Sequence, residues 1–330
     1  ARAEGRSRTP GVRVIATAVG GAYGGKDDPE ISVQAARLSQ AVRRPVMVQQ
    51  RRDEEMTANP FRPAALIELR AGVSESGQVV AWDCDVLNCG SVDATPPYQF
   101  ANQRLRSYRC QPPLPQGAGR ALGGPANTFA REVHLDHIAS ELGMDPLELR
   151  LRHLGDDERA GRALRTIAER YGWDDRRPPT GQGVGLAFAD HGGACAAVIA
   201  EADTDRLSGQ VRVRRVWVAQ DSGLVINPGN ARNQIEGAVV MALGLALKEA
   251  VRYELGRLLS RSFASYPIPT FRDAPEMEIE LISNQNMPPQ GEGVAAFCAV
   301  APAVANAVFD ATGKRLRELP LSPALIRSAS

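Results

Sequence analysis

The chain has 330 residues, 43% of them hydrophobic, enough for one large core or two smaller ones; at this length two domains are expected. Its 39 Lys and Arg nearly cancel 38 Asp and Glu, leaving a formal charge of +1, and aromatics make up only 5%. Neither a nucleic-acid footprint nor a membrane-surface patch is indicated.

No stretch approaches the ~20 uninterrupted apolar residues of a membrane span. Five scattered cysteines (Cys84, Cys89, Cys110, Cys195 and Cys298) form no CxxC pair. A zinc site, a disulfide framework and an iron–sulfur cluster are therefore not expected, and no metal-ligand set is legible. Buried free thiols in a reducing compartment are the simplest account, so a cytoplasmic location is expected. The opening ARAEGRSRTP has no apolar h-region and no initiating Met, and reads as part of a longer or split subunit.

In chain order, Val12–Val19 is rich in β-branched residues and predicts a strand running into the glycine turn Gly20–Gly25. Ile31, Ala35, Leu38 and Ala41 predict a helix over Pro29–Val42. Pro45–Gln49, Ala64–Ala71 and Val79–Leu87 read as strands, the last two joined by a turn at Gly77-Gln78. A Pro/Gly-rich loop over 111–125 precedes a helix from about Thr128 to Leu142, closed by Gly143. A second helix, Pro146–His153, starts behind Asp145, a good N-cap. The charged, Pro/Gly-rich stretch 155–182 is expected to be a linker.

Strands Gly183–Ala189, Ala196–Asp203 and Val211–Ala219 follow, then an Ala/Gly/Val-rich helix over Asn233–Leu247. A strand at Glu278–Ile282, a glycine loop over 288–294 and a helix over Pro302–Thr312 complete the chain. The expected class is α+β, with domains over 1–154 and 183–330.

Two segments carry chemistry on their own residues. Gly20-Gly21-Ala22-Tyr23-Gly24-Gly25-Lys26 fits seven positions of a phosphate-binding loop. It fails at the eighth, where Asp27 replaces the Ser or Thr that would hold magnesium. The alternatives are a structural tight turn and a backbone approach to some other ligand. Glu292, between Gly291 and Gly293, is a carboxylate on a flexible loop; it is either an exposed surface acid or a positioned base.

Four segments, in one order, resemble the molybdenum hydroxylases, the xanthine dehydrogenase and aldehyde oxidase family. GGAYGGKD is similar to that family's GGxFGGKE segment, whose aromatic-glycine pair lies against the molybdenum centre. The resemblance places Gly21, Tyr23 and Gly24 at the cofactor, and Asp27 where xanthine-oxidising members carry a substrate-orienting Glu. GRALGGP resembles the AFRGFGGPQ segment, making Arg120 the active-site Arg and Leu122 the substrate wall where many relatives have Phe. Val225-Ile226-Asn227-Pro228, with Gln234-Ile235-Glu236-Gly237-Ala238, resembles the INPxxxxxQVEGA segment. Its Gln contacts the pterin, so Gln234 inherits that role, in a helix whose composition suggests burial.

Gln290-Gly291-Glu292-Gly293 resembles the loop carrying the catalytic glutamate, with Gly293 in place of the usual Pro. The ending APAVANAVFDATGKRLRELPLSP is very like isoquinoline 1-oxidoreductase-type members. SYRC at 107–110 is superficially similar to the copper-binding loop of carbon monoxide dehydrogenases, but that loop aligns with the Arg120 segment instead.

The resemblance implies two molybdenum-cofactor-binding domains, with molybdopterin in its cytosine dinucleotide form. It implies hydroxylation of an N-heteroaromatic or aldehyde carbon with water as the oxygen source. Glu292 would act as base and Arg120 would steady negative charge. The family's MGQG-type pterin loop does not occur, so a second large-subunit chain is expected to supply it. A 2Fe–2S subunit would take the electrons, with an FAD or cytochrome c subunit beyond it. The alternative is a non-catalytic relative acting as scaffold.

Overall fold

The computed structural model describes residues 13–328 apart from 16 and 177. Helix α1 (Glu30–Val42) and the short α2 (Arg52–Ala58) come first, and neither buries a residue. Strands β1 (Leu66–Val73), β2 (Val79–Leu87) and β3 (Asn102–Tyr108) form one sheet in that order, β1 antiparallel and β3 parallel to β2. Then come α3 (Gly124–Glu141), α4 (Pro146–His153) and α5 (Glu158–Tyr171). Strands β4 (Gln182–His191), β5 (Ala194–Thr204) and β6 (Val211–Asp221) precede α6 (Pro228–Leu247). A small hairpin of β7 (Tyr253–Glu254) and β8 (Arg257–Leu258) leads to β9 (Glu276–Ile282), α7 (Val294–Thr312) and α8 (Pro323–Ser328). The second sheet runs β4-β5-β6-β9, with β9 parallel to β6. The α+β expectation therefore holds.

In β2, Val79, Trp82, Cys84 and Val86 are buried on one face. Asp83 and Asp85 point the other way and pair with Arg104 and Arg106 of β3. Helix α4 starts where its cap requires, the Asp145 carboxylate accepting from Leu147 N at 2.8 Å.

Other expectations are corrected. Residues 13–15 and 17–19 carry no strand, and Val14, Ile15 and Val19 stand exposed; Val12 and Ala16 lie outside the described residues. Pro45–Gln49 is likewise irregular. Both have strand composition, but no described strand edge pairs with them, and unpaired strands gain nothing. The expected linker at 155–182 contains α5, capped by Asp157 and closed by Gly172 in the left-handed region. It buries Ala160, Ala163, Leu164, Ile167 and Ala168, spaced i, i+3, i+4, i+7, i+8, against β5 and β6. The last long helix begins at Val294 rather than Pro302, which lies inside it. Complete burial of Ala295–Ala301 compensates for the hydrogen bond that Pro302 cannot donate. This helix is apolar and long enough to cross a membrane, yet it is the core helix, 83% of its apolar window being buried.

Helix α7 lies directly on β4 and β5. Gly185 permits this contact: a Cβ there would sit 2.1 Å from the carbonyl oxygen of Ala303 and 2.3 Å from Ala307 N. Gly185→Val should therefore destabilise the fold by at least ~1–3 kcal/mol through overpacking, a loss that urea unfolding would register.

The other face of this sheet, with Leu186, Phe188, Ile199 and Trp217, packs into a second core shared with Trp82, Tyr98, Phe100, Leu149 and Leu164. The two halves of the chain thus bury side chains against each other. A charged knot lies within this core. The Glu132 carboxylate accepts from Tyr98 Oη at 3.1 Å, Arg131 Nε at 3.1 Å, Arg150 Nε at 2.9 Å and Phe188 N at 3.0 Å.

Candidate active site

Three segments far apart in sequence meet at Arg120. Its guanidinium lies 5.7 Å from the ring centroid of Tyr23 and 5.7 Å from that of Phe297. Nη2 also donates to the carbonyl oxygen of Glu292 at 3.4 Å. Tyr23, Arg120 and the Glu292 loop therefore converge, as the resemblance requires. Burial draws the Arg120 guanidinium below its ordinary value, opposed by Tyr23 and Cys298, yet a guanidinium stays charged at neutral pH.

Close backbone approaches hold the segments together. Gly24, in the left-handed region, lies against the 118–119 backbone; a Cβ there would be 2.8 Å from the carbonyl carbon of Ala118. Gly293, the departure from the family's Pro, has φ of 75°. A Cβ at Gly293 would be 2.5 Å from Gln234 O and 2.8 Å from Arg120 Nη2, so glycine is required here on both counts. Three non-glycine residues at this centre, Tyr23, Ala121 and Leu122, also hold positive φ (50°, 65° and 51°). Each stores some backbone strain, as residues at ligand-facing turns often do.

Glu292 is half-buried and its Oε2 is held from two sides. Gln220 Nε2 donates to it at 2.9 Å and Ser222 Oγ at 2.9 Å, while Gln220 Nε2 also donates to Ser222 Oγ at 2.7 Å. Oε1 accepts no hydrogen bond among the described residues. The β6 end that carries these donors is itself fixed. Asp221, between them, pairs with Arg159 and Arg162 and accepts from Gly223 N.

The other sequence-predicted residues line an open face. Asp27, Tyr23, Leu122 and Gly291 are exposed, Gly21 is half-buried, and Gln234 is exposed rather than buried as its helix composition suggested. Buried residues of α6 such as Ala231, Ile235 and Ala238 take one side of that helix, which turns Gln234 outward. Leu122 helps to line a cavity of about 990 Å³, together with Phe129, Val133, His134 and residues of β1.

Sequence reasoning missed Gln220, Ser222, Phe297 and Arg62. Arg62 sits 5.5 Å from the Phe297 ring and donates to the carbonyl of Leu122 at 2.9 Å. No spacing marks these residues, because each acts through contacts more than 50 positions away. Cys110, the residue of the copper-like SYRC segment, is exposed, whereas Cys84, Cys89, Cys195 and Cys298 are buried.

Comparison with known proteins shows the family of the chain. Residues 8–154 match one molybdopterin cofactor-binding domain and residues 138–275 a second. The chain is 32% identical to a nicotinate dehydrogenase polypeptide of Pseudomonas putida over 96% of its own length and 30% of that protein's. It is 30% identical to the beta subunit of isoquinoline 1-oxidoreductase from Brevundimonas diminuta, covering 93% of this chain and 42% of the relative. It thus spans less than half of either. In fold, quinoline 2-oxidoreductase of Pseudomonas putida is similar with a TM-score of 0.84 at 17% identity, over 94% of this chain and 68% of that one. On these matches the chain belongs to the molybdopterin-binding subunits of the molybdenum hydroxylases.

Proposed function

We propose that this chain forms the catalytic wall of a molybdenum hydroxylase, acting on an N-heteroaromatic or aldehyde carbon with water as the oxygen source. The observation that carries the reading is the meeting of Tyr23, Arg120 and Glu292, with Oε2 of Glu292 fixed by Gln220 and Ser222. The residues fit the cofactor. Gly24 and Gly293 bring backbone close around Arg120, where a Cβ would collide, and the exposed Gln234 adjoins Gly293 through its backbone carbonyl. Gly21, Tyr23, Gly24, Arg120, Gln234 and Gly291 would hold molybdopterin, which we take to be the cytosine dinucleotide form.

When bound, that group supplies oxygen transfer from water and accepts two electrons. The protein supplies the rest. Glu292 presents Oε1 to take a proton while Oε2 stays anchored, so the base is oriented before substrate arrives. Arg120 offers fixed positive charge to developing negative charge on the substrate, without needing to reorient. Leu122 gives the substrate an apolar wall without a π face, and Asp27 is a short acceptor for a substrate N–H.

The exposure of Gln234, Tyr23 and Asp27, and an α1 that buries no residue, support a second large-subunit chain that closes the site. A 2Fe–2S subunit would receive the electrons and pass them to an FAD or cytochrome c subunit. Five free thiols, four of them buried, support a cytoplasmic setting.

The test is the cofactor itself. The purified assembly should hold about one molybdenum per copy of this chain. Gln234→Ala should lower molybdenum per chain while turnover per bound molybdenum is kept. Absence of molybdenum from the assembly would overturn the reading; full retention by the variant would remove Gln234 from the cofactor contact.

A further inference from the structure

Asp93, His191 and Cys298 come from three segments distant in sequence: the loop after β2, the end of β4, and the second turn of α7. A carboxylate oxygen, a ring nitrogen and the thiol sulfur lie within 4.8 Å of one another. Among the described residues no other group brings three such ligand types together. Nδ1 of His191 is 2.6 Å from Oδ2 of Asp93, a pair that would be complete without the cysteine. Cys298 is wholly buried beside it and makes no hydrogen bond among the described residues.

The surroundings look built. A Cβ at Gly124 would lie 2.2 Å from Asp93 Oδ2 and 3.4 Å from Cys298 Sγ, so glycine there lets both ligands reach one point. The Asp93 carbonyl is pinned by Arg131 Nη1 at 2.8 Å. Arg131 is a cation near the site, and two carboxylates face it: Glu132 at 3.1 Å, which it shares with Arg150, and Asp190 at 3.8 Å. The site opens to solvent on one side, where the His191 and Asp93 side chains are 21% and 11% exposed.

We propose that Asp93, His191 and Cys298 bind a first-row divalent cation, zinc being the best match, separate from the molybdenum cofactor. Thiolate, imidazole and carboxylate together suit a borderline ion rather than magnesium or calcium. Zinc ligands sit ~2.0–2.3 Å from the ion and hence about 3.3–3.7 Å apart in a tetrahedron, so the Asp93–His191 pair must open by about 1 Å from 2.6 Å while the Cys298 sulfur, within 4.8 Å, moves in by about 1 Å. The cation takes the place of the hydrogen shared by Asp93 and His191, and water fills the fourth position. Bound there, it ties the loop after β2, the end of β4 and the start of α7 into one unit behind the Arg120–Phe297 contact.

Zinc K-edge X-ray absorption tests this on the purified assembly, because molybdenum and iron–sulfur chromophores do not interfere. Protein with Cys110→Ser, which removes the exposed thiol, is stripped with chelator, reloaded with zinc chloride and desalted. About one zinc per chain is expected, with one sulfur neighbour and the rest nitrogen or oxygen. Cys298→Ser should erase the sulfur neighbour, and His191→Gln should weaken zinc retention by about tenfold or more. Circular dichroism reports whether each variant has folded; His191, partly exposed at a strand end, serves if Cys298→Ser does not. No retained zinc, zinc without a sulfur neighbour, or retention indifferent to His191→Gln would overturn the proposal.

Discussion

Glu292→Gln is expected to lower turnover per bound molybdenum by about 10²–10⁴-fold, the range that positioned general bases contribute. Gln keeps the size of the side chain and can still accept from Gln220 and Ser222 through its amide oxygen. It cannot take a proton. Molybdenum content should stay near that of the parent protein, because the variant leaves Tyr23, Arg120 and Gln234 untouched. An exposed surface glutamate would behave differently, its replacement changing stability by only about ±0.5 kcal/mol and rate hardly at all. Steady-state rates divided by molybdenum content separate the two, and near-normal turnover would rule out the base. Ser222→Ala offers a graded companion: one of the two donors to Oε2 is lost, so a smaller rate loss than that of Glu292→Gln is expected.

The largest expected loss of stability comes from Glu132. Its wholly buried carboxylate faces Arg131 and Arg150, themselves 3% and 0% exposed. Glu132→Gln keeps the shape but leaves two buried guanidinium groups with too little negative charge. Removing one member of such a pair costs about 3–5 kcal/mol. Because Phe188 N also donates to this carboxylate, the loss should fall on the packing of β4 against α3 and α4. Glu148→Gln is the control: its partner Arg152 and the carboxylate are both well exposed, and such pairs contribute about 0–1 kcal/mol. Urea unfolding midpoints compare the two directly. Equal effects would mean that the buried network carries no special weight.

The expected linker shows how a local reading goes astray. Residues 160, 163, 164, 167 and 168 follow a clean helical stripe, and Asp157 and Gly172 are ordinary helix ends. Arginines and glutamates between them, and the Asp-Asp-Arg-Arg-Pro-Pro run just beyond, make charge more conspicuous than period. The stretch 13–19 errs in the other direction. Its composition is that of a strand, but a strand needs an edge to pair with, and composition carries no information about that edge. Gln234 is expected inside because α6 is apolar on average; which side a residue takes depends on where α7 and β9 lie.

The sequence by itself determined the parts whose causes are local. These are the capped helix α4, the alternation of β2, the strands β4 to β6, and the glycine turns that carry Tyr23, Arg120 and Glu292. Period, cap and turn chemistry act within a few residues, so they can be read along the chain. Tertiary structure alone decided which of these parts meet. It set Arg120 between Tyr23 and Phe297 and brought Gln220 and Ser222 onto Glu292. It also gathered Asp93, His191 and Cys298 at one point, although no spacing in the sequence marks them as ligands. The physical reason is that burial and close backbone approach at Gly124, Gly185 and Gly293 are set by elements far away along the chain, and no local pattern encodes those distances.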